Sequence, residues 1–239
     1  MPGTFLFSIF ALVHWCIALA ALSIIPGLIL PALCLFIVEA AKAFDNGATV
    51  LGKRFGLGAQ AKALSRRRYL LHAVCIGFLV PVYSGIGGVL AFSPFGAVLA
   101  DVLAWILVIG IVLYGYFIQY KPAVPLIPVN ALGCLRYAQS VTDATRHPDY
   151  EYSDSELAAK PSLPMASIMA TTAGLLFALV IVWLSGFWVP FIVTAIMFFA
   201  GALPQRGWGP VVISSMEVVF SGGMLYSLWH AAAIASAGL

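Results

Sequence analysis

Long apolar runs, broken by short polar or turn-forming clusters, dominate the chain and predict membrane-spanning helices. A span needs about 20 mostly apolar residues, with a range of about 17 to 25. The first apolar stretch, 5–44, is too long for one helix, and Pro26-Gly27 divides it with a tight turn. Reading onward in the same way gives spans at about 4–24, 27–44, 69–91, 97–119, 164–186, 189–204 and 211–235. Ser93-Pro94-Phe95-Gly96 turns the chain between the third and fourth, and Gln205 to Pro210 links the sixth to the seventh. The expected fold is an all-α polytopic bundle of about seven transmembrane helices in one domain, 1–239. The short sixth span and the tight first hairpin leave six crossings as the alternative.

Two polar connections interrupt the pattern, at 45–68 and 120–163. The first carries Gly47, Gly52, Gly56 and Gly58, then a basic helix-like stretch ending in Ser65-Arg66-Arg67-Arg68. The second opens with Pro122, Pro125 and Pro128 and gathers acids between Asp143 and Glu156. It reads as an exposed connection with a short helix at 130–141.

Composition agrees with this pattern. The chain is 62% hydrophobic and 9% charged, with mean hydropathy +1.03, whereas average soluble domains carry about 25% charged residues. That excludes an ordinary water-soluble fold and makes the lipid bilayer the first partner. Met1-Pro2-Gly3-Thr4 holds no Lys or Arg, so the first run is expected to be a retained span and not a cleaved signal. Cys16, Cys34, Cys75 and Cys134 show no metal or disulfide spacing.

Charge sets the expected orientation. The basic residues fall at 42–68, 121–160 and 206. With seven spans all of them lie on one side, which the positive-inside rule makes cytoplasmic. The N-terminus is then cytoplasmic and the C-terminus outside, and the 45–68 segment is placed to attract anionic lipid. Nothing points to a nucleic-acid partner. Both a homo-oligomer and a partner subunit stay open.

Two glycine patterns imitate nucleotide-binding loops and fail. Gly47-x4-Gly52-Lys53 is followed by Arg54 where Ser or Thr would hold magnesium, and Gly56-x-Gly58-x-x-Ala61 lacks a preceding strand.

The informative positions are ionisable groups within spans, where a charge costs several kcal/mol and usually faces the bundle interior. At 1.5 Å per residue, Glu39, His72 and Glu217 lie roughly 5–10 Å below the cytoplasmic boundary on three helices, and His14 lies deeper. Lys42 is three residues from both Glu39 and Asp45, so the three can line one helix face, with Asn46 next to Asp45. Carboxylates beside histidine can hold a cation or pass protons. The candidate binding residues are therefore Glu39, Asp45, Asn46, His72 and Glu217. A divalent cation held by Glu39, His72 and Glu217 is one alternative, and structural pairing is another.

The Glu39-x5-Asp45-Asn46 spacing resembles the Glu…Asp-Asn element of TerC-like membrane metal exporters. The resemblance covers one helix. The second acidic element is absent, since Glu217-Val-Val-Phe-Ser-Gly-Gly has no aspartate. It implies cation transport and assigns no family. Seven spans also suggest retinal proteins, but the seventh has no lysine, which excludes a retinal Schiff base there.

The leading expectation is transport of protons, a metal cation or a small solute through this acid/His cluster. The rivals are a membrane-embedded enzyme acting on lipid or peptide, and a non-catalytic subunit or assembly factor.

Overall fold

A computed structural model describes residues 2–24, 27–121, 125–160, 163–201 and 209–237. The turn residue Pro26, Pro122, and the linker from Gln205 to Trp208 fall outside the described residues.

The apolar runs form helices, and local chemistry sets their ends. Helix α1 covers Pro2–Leu22 and α2 covers Ile29–Phe55. Helix α3 (Ala59–Cys75) runs through a 3₁₀ turn, Ile76–Phe78, into α4 (Leu79–Leu90). Helix α5 spans Pro94–Tyr114 and ends in a π turn, Gly115–Tyr120. Its start is capped by Ser93, whose hydroxyl accepts from the Gly96 N–H at 3.2 Å, with Pro94 in the first turn. A four-residue helix, α6 (Asp154–Leu157), precedes α7 (Met165–Ser185), α8 (Val189–Ala200) and α9 (Gly209–Ala237). Helix α7 stops at Gly186, in the left-handed conformation that glycine tolerates.

Five helical stretches among the described residues are long and apolar enough to cross a membrane: Gly3–Leu22, Ala59–Leu90, Pro94–Tyr120, Met165–Ser185 and Gly209–Ala237. The protein is thus a multi-span helical membrane protein. Helix α2 is long enough at 27 residues but carries Glu39, Lys42, Asp45, Lys53 and Arg54. Helix α8 has 12 residues, about 18 Å of rise, short of a bilayer core of about 30 Å.

The two polar connections differ from their sequence reading. The 45–68 segment is almost wholly helical, since α2 continues to Phe55 and α3 begins at Ala59, with Gly56 at φ 61° making the break. The expected helix at 130–141 is instead a β-hairpin, β1 (Ile127–Ala131) paired antiparallel with β2 (Cys134–Ala138). Leu132 and Gly133 both have positive φ, 53° and 85°, as a tight two-residue hairpin turn requires, and Asn130 Oδ1 accepts from the Gly133 N–H at 2.7 Å.

The hairpin is packed, not exposed. Gly52 on α2 brings backbone against the Leu135 carbonyl, a place where a Cβ would collide. Cys134 is buried with Phe7 and Phe10 of α1, near Val50, Val211 and Val218. The main core lies farther along the bundle, where Leu35, Val38, Val80, Tyr83, Ile86, Ile181, Met224 and Leu228 pack from α2, α4, α7 and α9.

Candidate functional site

Ionisable side chains gather in two adjoining places. The first is a closed network on α1, α2 and α9. Glu39 and His14 are both fully buried, with His14 Nδ1 2.6 Å from Glu39 Oε2. The other carboxylate oxygen accepts from Lys42 Nζ at 3.0 Å and from the Ser221 hydroxyl at 2.7 Å. Lys42 also donates to Ser221 Oγ at 2.8 Å and sits 4.8 Å from the centre of the Phe220 ring. One carboxylate between two basic groups is how an apolar interior tolerates charge, because each ion alone would be strongly penalised. His14 Nε2 is buried without a hydrogen-bond partner.

The second place is a cavity of about 740 Å³ lined by α2, α3, α4, α7, α8, α9 and the hairpin. Its charged end presents Lys42, Asp45, Arg68, His72, Arg136 and Glu217. Its apolar end reaches Leu79, Tyr83, Met197 and Phe220. Arg68 Nε donates to Asp45 Oδ1. His72 Nε2 is 2.7 Å from Ser167 Oγ on α7. Deep in the bundle, the Tyr83 hydroxyl is 2.6 Å from Thr194 Oγ1. Gly174 makes room for that ring, since a Cβ there would lie 2.6 Å from Tyr83 Cε2. The neighbouring positive charge of Arg68, together with burial, pulls the pKa of the Arg136 guanidinium down from its ordinary value.

The sequence candidates separate between these places. Asp45, His72 and Glu217 share the cavity. Glu39 turns the other way, toward His14 and Ser221. Asn46 donates its amide to the Lys42 carbonyl of its own helix at 3.0 Å. Among the described residues, no group of three or more His, Cys, Asp or Glu is arranged to hold a metal ion. Glu39, His72 and Glu217 therefore do not make a common ligand set in this arrangement.

Sequence reasoning left out His14, Arg68 and Arg136 as site residues. Arg68 counted only as part of a basic cluster. Its spacing held a usable signal: Arg68 and His72 are four residues apart and so share a helix face. Asp101 and His230 lie elsewhere. Asp101 accepts from the Ser84 hydroxyl at 2.7 Å, and His230 stacks on Phe187 with ring centres 4.9 Å apart.

No protein-family model matches the chain, and neither a curated protein nor a solved structure matches it. The functional reading therefore rests on the geometry.

Proposed function

We propose that the chain is a membrane transport protein in which the charged cavity receives a small solute and the buried His14–Glu39–Lys42–Ser221 network couples its passage to a proton. The observation that carries this reading is the double position of Lys42. Its ammonium group holds Glu39 and Ser221 in the closed network, and the residue also lines the cavity. A ligand that draws Lys42 toward the cavity loosens Glu39, and a proton reaching Glu39 releases Lys42. The two events are thereby linked through one side chain, as binding linkage requires.

In this reading the chain crosses the bilayer seven times, with α2 and the short α8 completing the set. The N-terminus and the 45–68 and 120–163 segments are cytoplasmic and the C-terminus is outside. Support comes from the one-sided distribution of Lys and Arg.

The enzyme alternative draws less support. Ser221, the hydroxyl beside Lys42, is fully buried and donates to Glu39, so it is neither free nor open to a substrate.

The test is proton flux into proteoliposomes containing a trapped pH dye, under an imposed pH gradient. Wild type should admit protons faster than protein-free vesicles, and Glu39→Gln should lose at least about tenfold of that excess, the scale of a lost charge-assisted contact. Equal rates in wild type, Glu39→Gln and empty vesicles would sink the coupling.

A further inference from the structure

The charged end of the cavity holds arginine donors that no acceptor meets. Asp45 accepts from Arg68 Nε, yet Arg68 Nη1 is buried without a partner. Arg68 as a whole is only 6% exposed. Across from it, Arg136 Nε is likewise buried and unpartnered. Arg136 forms no salt bridge among the described residues, and neither does Glu217. Lys42 is already engaged by Glu39. Two guanidinium groups thus share this end of the cavity with two carboxylates, Asp45 and Glu217, and only Asp45 is paired with an arginine.

Buried donors of this kind are costly unless something accepts from them. Arginine suits the role: its planar fork matches the two oxygens of a carboxylate or phosphate, and it stays charged when buried. The two residues come from elements far apart in sequence, Arg68 from α3 and Arg136 from β2, and both line the same cavity. The hairpin that the sequence reading missed is what carries Arg136 there.

The rest of the cavity restricts the ligand further. From Arg68 to Tyr83 the α3–α4 run rises by about 22 Å, at 1.5 Å per residue. Beyond the arginines its walls are Ile76, Leu79, Tyr83, Met197 and Phe220, with few polar groups. A freely hydrated inorganic anion would use only the charged end and leave that apolar end unfilled.

We propose that the cavity binds an anionic amphiphile, with its phosphate or carboxylate head between Arg68 and Arg136 and its apolar tail along Ile76 and Met197. This deepens the reading of the cavity as a solute site by naming the class of ligand, and its test reads binding and not flux. A chain that binds but does not transport would remove the transport reading and leave this one standing.

The experiment is titration calorimetry on the full chain in a neutral detergent, with dodecyl phosphate, inorganic phosphate and dodecyltrimethylammonium as probes. Dodecyl phosphate should saturate one site at least about tenfold more tightly than inorganic phosphate, and the cationic amphiphile should not compete. Arg136→Gln should weaken dodecyl phosphate by at least about tenfold, and Arg136→Lys, which keeps charge but loses the fork, by less. Arg67→Gln, the same charge change at an exposed neighbour, should bind as wild type does. Unchanged affinity in both Arg136 variants overturns the proposal. So does equal binding of the cationic amphiphile, or inorganic phosphate binding as tightly as its dodecyl ester.

Discussion

At the scale of single residues, the buried network behaves as a unit because every member depends on Glu39. Removing that carboxylate leaves Lys42 without a counter-charge and His14 Nδ1 without its partner, so Glu39→Ala should cost about 3–5 kcal/mol, the penalty for stranding a buried ion. Ser221→Ala removes two hydrogen bonds, one donated to Glu39 and one accepted from Lys42, but leaves those two groups paired with each other, and should cost about 1.5–3 kcal/mol. Thermal unfolding in detergent, followed by tryptophan fluorescence, measures both, and equal costs would show that Glu39 is not the hub. Outside the bilayer, Glu156 gives a pH signature. The Ser153 backbone N–H and the Tyr150 hydroxyl both donate to it, at 3.0 and 2.9 Å, and the backbone bond leads in holding its pKa below the ordinary carboxylate value. A depressed folded pKa stabilises above the unfolded value and is lost as pH falls through the folded one. Protection factors at residues 153–157 should therefore be highest near neutrality and fall in acid; a pH-independent protection factor would contradict this.

At the scale of elements, the hairpin and its dock on α2 decide whether the charged end of the cavity exists. Replacing Gly52 with leucine puts a side chain where the Leu135 carbonyl lies, and overpacking of that kind costs about 1–3 kcal/mol. The expected readout is faster proteolysis at 125–140 with the spanning helices still protected; uniform loss of protection would mean that the hairpin is not a separable layer. The element scale also shows what sequence reveals. The spanning helices were legible because an apolar run of 20 residues leaves the chain few alternatives. The hairpin was not, because its strands are five residues each and Pro128 and Arg136 interrupt their alternation. Helix depth was legible as well, and it put Glu39, His72 and Glu217 at one level. Helix rotation was not: Glu39 faces α1 and α9, whereas Asp45, six residues on, faces Arg68 and the cavity. Six residues at 3.6 per turn is well short of two turns, so the ladder expected through Lys42 divides.

At the scale of the whole molecule, the seven-crossing reading places the polar connections together. In a chain freed of its four native cysteines, Arg66→Cys and Ser153→Cys should react with a membrane-impermeant thiol reagent from the same side, and Ser236→Cys from the other. Labelling of Arg66→Cys and Ser153→Cys from opposite faces would overturn the orientation and the seven-crossing count together. The bundle also divides by chemistry. Ionisable groups concentrate toward the hairpin, whereas the opposite half, around Ile86, Ile181 and Leu228, is tightly packed and apolar.

The hairpin's position sets an order of construction. Thr4 reaches Cys134 across 130 residues, and the cluster around Cys134 also takes in Val211 and Val218 from α9. During synthesis the leading end of α1 must wait until most of the polypeptide has left the ribosome before it meets its neighbours. A nascent chain that stops before α9 can thread its early helices into lipid, yet its chamber remains without one wall.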